Sequence, residues 1–247
     1  DVQRWKKDEV TTEPTSVELC ILGDGSISML SGTLSGGVRP IDSTVQTSAV
    51  FYAAGKRGDF DTFVGMFGDD KVEMIASPGM TDQEVGKNFQ RVRNGLNTGT
   101  EISHSFAQMV EKSGKYDTAL DGKRKYFAGM THFLIISDGD LTGGDEAPFS
   151  KMLIDLFRYG PAVSVDIAIL GNSVQNGMYR AVEAVKEVNP GAEIGIFNSA
   201  NPDEIPLLLA QQIKRRFEQS AKEVHAVPDS RKRESFLDVH KIMTNGI

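Results

Sequence analysis

The sequence lacks the features that define several whole classes of protein. Its 247 residues include a single cysteine, Cys20, so no internal disulfide can form and nothing favours an oxidising compartment. The four histidines show no zinc-ligand spacing with that cysteine. Cys20 lies within an apolar stretch, and we predict a small core residue there rather than a nucleophile.

Long apolar runs are also missing. No stretch reaches about 18 consecutive apolar residues, the length that indicates a membrane-spanning helix. Residues 1–15 are polar and contain no apolar segment typical of a signal peptide. The first residue is Asp1 rather than Met, so we expect a processed chain or a piece of a longer protein. These observations lead us to expect a cytoplasmic protein.

Positive charge is in deficit, which bears on possible partners. Lys and Arg number 27 against 34 Asp and Glu, for a formal charge of −7. Binding to nucleic acid without sequence preference needs a basic surface, so we do not expect direct contact with nucleic acid. One basic cluster, residues 231–233, is flanked by Asp229 and Glu234 and is interpreted as a solvated surface.

What the chain does have is a regular alternation of predicted strands and helices. Apolar residues make up 39% and charged residues 25%, as in an ordinary globular protein. Predicted strands cover about 16–22, 60–67, 71–75, 132–136, 163–170 and 194–197. Predicted helices cover about 42–54, a short segment from 81, 101–112, 149–159, 178–188 and 203–218. Residues 42–44 are plausible caps of the first, Gly55 and Gly58 are expected to end it, and residues 81–84 form a capping-box-like pattern. Several strands are continuous apolar runs, which is typical of a parallel sheet buried on both faces. The predicted fold is therefore α/β, with a doubly wound, mostly parallel sheet.

Three segments are predicted along the chain. Residues 1–15 form a lead-in, residues 16–221 form the α/β domain, and residues 222–247 form a tail. Within the domain, we interpret 60–67 and 71–75 as a hairpin or a short edge strand, and 113–129 as a surface excursion. The tail contains an amphipathic stretch over 236–243, which is either a docking helix or a segment that packs on the domain.

Small oxygen-bearing side chains follow two of the predicted strands and precede one helix. The stretch DGSIS follows the first strand, GTEI precedes the helix from 101, and SDGD follows the strand HFLII. Because sites in doubly wound sheets form at the carboxyl ends of the strands, we expect these loops to meet. The candidate metal ligands are Asp24, Ser26, Ser28, Thr100 and Asp138.

Hydroxyl and carboxylate oxygens at these positions suit a hard cation. Mg²⁺ prefers octahedral oxygen coordination at about 2.0–2.1 Å and usually keeps some waters. Alternate positions in an extended turn can direct Ser26 and Ser28 at one centre. Only two carboxylates neutralise the ion, so we expect the site to take one further acidic oxygen from another molecule. Mn²⁺ and Ca²⁺ are alternatives to Mg²⁺.

Simpler interpretations exist for each of these residues. DGSIS alone is compatible with a capped turn, and Asp138 with an acid in a turn before glycine. Thr100 is also a plausible helix N-cap, and Thr98 competes with it for the ligand role. Asp140 and Asp145 are interpreted as members of a solvated loop, although they add negative charge near Asp138.

Neighbouring residues are given structural roles. We interpret Glu101 as a first-turn acid favoured by the helix dipole and His104 as an ordinary helix residue. The spacing of five phenylalanines predicts core positions. They are Phe60, Phe63, Phe67, Phe133 and Phe157.

The three stretches together resemble the metal-ion-dependent adhesion site of the von Willebrand factor type A (vWA) family. They are DGSIS at 24–28, GTEI at 99–102 and LIISDGD at 134–140, and the resemblance covers residues 16–217. It implies a Rossmann-like fold and a divalent cation, commonly Mg²⁺, held by Asp24, Ser26, Ser28, Thr100 and Asp138. It also implies that a Glu or Asp of a partner protein completes the coordination.

The chain departs from the family pattern after DGSIS. A Gly- and Ser-rich loop over residues 29–41 precedes the first long helix, and we expect it either to shape partner choice or to cover the metal. Because it has no disulfides, the chain resembles the intracellular branch of the family. Many members of that branch act beside AAA+ ATPases. The resemblance therefore implies an adaptor for such an ATPase.

The residues leave other functions open. A metal-assisted phosphatase or hydrolase could use the same site. However, no candidate general base, phosphate-binding cation or P-loop is found in these loops, and we expect no enzyme. An RNA-associated vWA module and a cell-surface adhesin are further alternatives; the charge argues against the first, and a signal sequence in a longer chain would favour the second.

Overall fold

The structure is a computed structural model that describes most of the chain. The described residues are 17–57, 61–68, 72–96, 99–112, 116–118, 124–126, 130–141, 144–159, 163–171 and 177–211. Several predictions fall outside these ranges. They concern the lead-in 1–15, Phe60, Thr98, the basic cluster 231–233 and the tail 222–247.

A six-stranded sheet forms the centre of the domain, with strand order β3-β2-β1-β6-β7-β8. Its strands are β1 (Val17–Asp24), β2 (Asp61–Phe67), β3 (Val72–Ala76), β6 (Met130–Ser137), β7 (Val163–Leu170) and β8 (Ile194–Ser199). All neighbouring pairs are parallel except β2 and β3. The predicted hairpin is therefore confirmed, with β3 as the antiparallel edge strand.

Helices cover both faces of this sheet. They are α1 (Ser28–Ser31), α2 (Pro40–Arg57), α3 (Asp82–Val92), α4 (Ile102–Lys112), α5 (Glu146–Tyr159) and α6 (Gly177–Val188), and residues 204–211 are also helical. One core packs α4, α5 and α6 on one face, and a second core packs α2, α3 and 204–211 on the other. The predicted α/β class with a doubly wound, mostly parallel sheet is confirmed.

The apolar strand runs explain why the sheet lies between two helical layers. Along β1, Cys20 and Leu22 enter one core, whereas Leu19 and Ile21 enter the other. Every residue of β7 is buried. Because side chains alternate between the two faces of a strand, a continuous apolar run can be satisfied only by a helical layer on each side.

The predicted core residues are found in these layers. Cys20 is fully buried, as are Phe67 and Phe133. Phe63 and Phe157 are partly buried and pack against the same core. Phe106 adds edge-to-face ring contacts with Phe133 and Phe149, at centroid distances of 5.2 and 5.8 Å.

Two predicted helix ends were wrong. α2 begins at Pro40, where the missing N–H of proline is no loss, rather than near residue 42. It also continues through Gly55, which we had expected to end it. A Cβ at Gly55 would lie 2.0 Å from Thr62 Oγ1, so this glycine lets the helix approach β2 closely. The capping box predicted at Thr81 is present, with Glu84 as its partner.

The region 113–129, predicted as a surface excursion, contains two short strands that are not predicted from the sequence. They are β4 (Tyr116–Thr118) and β5 (Arg124–Tyr126), which pair antiparallel as a separate two-stranded sheet. Their short, polar sequences carry no strand periodicity. Among the described helices, none has the length and apolar character needed to cross a membrane.

Candidate metal centre at the carboxyl end of the sheet

Asp24 is the last residue of β1 and its side chain is completely buried. Its Oδ1 accepts a hydrogen bond from the backbone N–H of Ser26 at 2.8 Å. Its Oδ2 accepts one from Ser137 Oγ at 2.6 Å. Ser137 ends β6, which pairs with β1 in parallel register. The sheet therefore brings the two predicted strand-end loops together.

The hydroxyls of DGSIS lie side by side. Ser26 Oγ and Ser28 Oγ are 2.9 Å apart, and the Ser28 side chain also hydrogen-bonds to Asp138. The segment is not the extended turn that we expected, because Ile27 has helical angles and Ser28 opens α1. A network nevertheless runs from Asp24 through both serines to Asp138.

Thr100 approaches the same place from a third loop. Its side chain is buried, and the next residue, Glu101, donates its backbone N–H to the Gly68 carbonyl at the end of β2 over 2.9 Å. An open depression of about 340 Å³ lies between the loops. Its lining residues are Ser26, Ile27, Ser28, Gly99, Thr100, Asp140 and Leu141.

Three of the predicted ligands, Ser26, Ser28 and Thr100, line this depression, and Asp24 and Asp138 are hydrogen-bonded to the two serines. The five residues are thus grouped at one end of the sheet. Their role as metal ligands stays a prediction.

The electrostatics of the two acids favour a cation. Burial raises the pKa of Asp24 from 3.8 to about 7, although hydrogen bonds from Ser137 and Ser26 act in the opposite direction. Burial also raises the pKa of Asp138, and the nearby carboxylate of Asp140 adds to this rise. No Lys or Arg is among the residues that line the depression. A bound cation would offset the cost of both buried charges.

The donor set is of a kind that suits a hard divalent ion. It has two carboxylates and three hydroxyls, all of them oxygen ligands of the kind that Mg²⁺ accepts. Within the described residues there is no group of three or more His, Cys, Asp and Glu side chains placed to hold a metal. A zinc site or a closed carboxylate cage is thus not formed in this part of the chain.

Asp145 has a role that the sequence did not indicate. We predicted a solvated loop, but Asp145 is only 8% exposed and its carboxylate contacts the start of α4. It accepts the backbone N–H of Ile102 at 2.6 Å and that of Ser103 at 3.2 Å, and it hydrogen-bonds to the Ser103 hydroxyl. The Asp145 side chain thus caps α4, two residues after Thr100, because donors at a helix start need acceptors.

The other neighbours differ in outcome. Glu101 precedes α4 rather than lying in its first turn, so that interpretation was wrong, whereas Asp140 and His104 agree with theirs. Asp140 and Glu101 are exposed, and His104 is an exposed residue of α4. The Asp140 backbone N–H donates to Asp138 Oδ1 at 3.3 Å. Asp140 therefore adds negative charge at the rim of the depression.

The loop over residues 29–41 does not cover the site. None of its residues lines the depression. Leu34 is buried in the core that contains α2, and the Ser35 backbone N–H donates to the Ala200 carbonyl at 2.8 Å, just beyond β8. The expectation of a metal cover was wrong for this reason.

Residues after α3 support the first loop, a role that is not predicted from the sequence. The Leu96 backbone N–H donates to the Gly25 carbonyl at 2.8 Å, while Gly25 donates to the Phe67 carbonyl at 2.8 Å. Gly95 allows this approach by adopting a φ of 71°. A glycine shortly after a helix is a recognisable turn signal, although it does not reveal the target of the turn.

Comparison with solved structures supports the fold. No protein-family model and no curated protein matches the sequence. The SpRpn10 VWA domain is similar with a TM-score of 0.56 and 10% identity, over 80% of this chain and 95% of that one. An aerotolerance-related membrane protein from Bacteroides fragilis is similar with a TM-score of 0.51 and 14% identity, over 81% of this chain and 100% of that one.

A bacterial pilin subunit shares the architecture as well. The PilB minor pilin from Streptococcus sanguinis gives a TM-score of 0.58 at 10% identity. The match covers 85% of this chain but only 63% of the pilin, less than two thirds of its length. At such identities the likeness concerns the fold alone. This chain therefore has a Rossmann-like α/β fold of the vWA type.

Proposed function

We propose that this domain is a protein-interaction module whose binding site includes a divalent cation, Mg²⁺ in the first instance. Asp24, Ser26, Ser28, Thr100 and Asp138 would hold the ion. The ion would supply an electrophilic centre for a carboxylate of a partner protein. The observation that carries the proposal is the hydrogen-bonded network from Asp24 through Ser26 and Ser28 to Asp138, with Thr100 across the depression.

The protein's own groups would position the ion and leave room for the partner. Asp24 is held from two sides by Ser137 and the Ser26 backbone, so its orientation does not depend on the ion. The hydroxyls are neutral, so two carboxylates leave a divalent ion with no excess negative charge around it. The depression is open to solvent on its outer side, where an acidic side chain of a partner can enter.

We further propose that the site does not catalyse a reaction. Hydrolysis of a phosphate ester at a metal centre is usually assisted by a cationic side chain near the substrate. The lining of the depression contains no His, Lys or Arg. With p-nitrophenyl phosphate and Mg²⁺, turnover that is lost in Asp24→Ala would contradict this part of the proposal.

Calorimetric titration of Mg²⁺ and Ca²⁺ into chelator-stripped protein tests the metal site. We expect saturable binding in the wild type, loss of binding in Asp24→Ala, and unchanged binding in Asp203→Ala, which removes an exposed carboxylate beyond β8. If the wild type does not bind either ion, the proposal is wrong.

The resemblance noted above adds a narrower proposal, an adaptor role beside an AAA+ ATPase. Its test is ATP hydrolysis by a candidate ATPase with and without the domain. A change in the rate of ATP hydrolysis that requires both Mg²⁺ binding by the domain and an intact Asp24 would support the adaptor role. An effect that is equal for wild type and Asp24→Ala would contradict it.

A further inference from the structure

An aliphatic side chain projects from the middle of the metal-binding stretch. Ile27 lies between Ser26 and Ser28, and it is 53% exposed. It is one of only three large hydrophobic residues in the described part of the chain that are more than half exposed, with Val188 and Leu207. Because α1 starts at Ser28, the backbone turns here, so that both serines face the acid cluster and Ile27 remains at the surface.

A second aliphatic residue, Leu141, lines the same depression from the loop after β6. Ile27 and Leu141 belong to different loops, and both border the place where a partner carboxylate would enter. Leu141 is partly buried and packs against the core, so a partner would cover Ile27 and the exposed part of Leu141. This burial would be favourable and would exclude water from the charged contact.

The charge at the rim has one sign. Asp140 is exposed and lines the depression, and Glu101 is exposed beside Thr100. No basic residue is among the lining residues. A second acid on the partner would therefore meet like charge at the rim, whereas a basic residue would meet opposite charge.

We propose that the site selects a segment with one acidic residue, an aliphatic or aromatic residue next to it, and no second acid nearby. This inference rests on the proposed function and specifies the partner chemistry of that site. The acid alone carries little information, since acidic residues are common on protein surfaces. Ile27 and Leu141 contact the apolar neighbour of the acid. Asp140 repels a second acid of the partner and attracts a basic residue.

The test is selection of phage-displayed random dodecapeptides on immobilised protein in Mg²⁺, with release by EDTA. We expect the released peptides to share a single Glu or Asp beside an apolar residue, with Lys or Arg enriched over further acids. Ile27→Ser is expected to remove the apolar preference, and Asp140→Asn to admit second acids. The matched controls are Val188→Ser, an equally exposed aliphatic residue of α6, and Asp203→Asn.

Synthetic versions of the selected peptides measure how much Ile27 contributes to peptide affinity. We expect their Kd for Ile27→Ser to rise about tenfold, while Val188→Ser is unchanged. Mg²⁺ affinity by calorimetry is expected to be equal in Ile27→Ser and wild type, because Ile27 is not a ligand. Ile27→Ala provides a second truncation, and thermal unfolding of each variant shows that the fold is retained.

The outcomes separate this inference from the proposed function. Acidic peptides without an apolar preference, or a preference that persists in Ile27→Ser, would overturn the inference and leave the metal-dependent module standing. Mg²⁺ binding without any EDTA-released peptide would overturn it as well. Absence of Mg²⁺ binding in the wild type would instead overturn the proposed function.

Discussion

Ser137 Oγ donates a hydrogen bond of 2.6 Å to Asp24 Oδ2, although the two residues are 113 positions apart in the chain. The bond joins the last residues of two neighbouring parallel strands. It holds a carboxylate in a buried position where, without a cation, its charge is costly. The behaviour of Asp24 is therefore the most direct measure of what this site does.

The metal-free protein should lose stability as the pH rises because of Asp24. Its pKa is about 7 in the folded state against 3.8 ordinarily, so between these values the folded state binds a proton that the unfolded state lacks. Unfolding free energy then falls as pH rises through this window, by on the order of 4 kcal/mol for this group. Asp24→Asn should remove this dependence.

Chemical unfolding of chelator-stripped wild type and Asp24→Asn at a series of pH values measures the difference. We expect the variant to be more stable than wild type at pH above about 7 and the advantage to vanish at low pH. Mg²⁺ should restore the wild type at high pH and have no effect on the variant. A difference between the two proteins that does not change with pH would contradict the burial argument.

Ser137→Ala should weaken metal binding without touching a ligand. The Ser137 hydroxyl donates to Asp24 and accepts the Gly139 backbone N–H at 3.0 Å, so its loss disturbs both strand-end loops. Removing such a buried partner costs about 1–3 kcal/mol of stability. We expect the Mg²⁺ Kd to rise as well, since Asp24 loses its fixed orientation.

Calorimetry and chemical unfolding measure both effects, with Ser150→Ala as the control. Ser150 is a half-buried serine of α5 that donates to the Glu146 carbonyl within the same helix. The Ser150→Ala variant should lose little stability and no Mg²⁺ affinity. Equal Mg²⁺ affinity in Ser137→Ala and wild type would show that Asp24 does not need this support.

Asp145→Ala should show whether the cap on α4 positions Thr100. The substitution leaves the backbone N–H groups of Ile102 and Ser103 without their acceptor, which costs about 1–3 kcal/mol. We expect Mg²⁺ affinity to fall too, because Thr100 lies only two residues before Ile102. Asp145→Asn retains one acceptor oxygen and should recover part of both losses.

Asp140→Ala is the control for this experiment, since it removes an exposed acid of the same loop. Its stability should match the wild type within about 0.5 kcal/mol, as for other surface substitutions. If Asp145→Ala loses stability but binds Mg²⁺ like the wild type, then Thr100 either needs no positioning or is not a ligand.

Gly25→Ala should damage the site by steric contact. A Cβ at this position would lie 2.8 Å from Leu96 Cγ and 3.2 Å from the Phe67 carbonyl oxygen. Overpacking of this kind costs about 1–3 kcal/mol, and the displaced loop should bind Mg²⁺ more weakly. Thermal unfolding and calorimetry measure the two effects.

Gly86→Ala serves as the matched substitution. Gly86 lies within α3, and a Cβ there would meet no atom within 4 Å. Alanine should therefore stabilise the helix by about 0.5–1 kcal/mol and leave metal affinity unchanged. If Gly25→Ala behaves like Gly86→Ala, then the contact between the first loop and Leu96 is not rigid.

Much of the fold was predictable because its signals are short-range. The apolar runs of β1, β6 and β7 indicated a sheet buried on both faces, and the Thr81 capping box marked the start of α3. The strands β4 and β5 were missed, since three polar residues each carry no periodicity. The start of α2 was placed late, because Asp42 resembles a cap although it lies inside the first turn.

For the site, the sequence alone determined which oxygen atoms are available. Spacing within DGSIS placed two hydroxyls near one acid, and strand-end positions indicated that Asp24 and Asp138 would be neighbours in a parallel sheet. These expectations depend on backbone geometry over a few residues and on one general property of such sheets. For this reason the side chains lie close together even though Ser28 begins a helix rather than lying in the predicted extended turn.

Only the tertiary structure decided where the remaining side chains act. Asp145 precedes α5 in sequence, yet its carboxylate caps α4, because helix packing brings another set of N–H donors within reach. The loop over residues 29–41 follows DGSIS but binds near β8, because Leu34 is drawn into the core on that face. Contacts of this kind depend on the relative placement of whole elements, about which local sequence pattern contains no information.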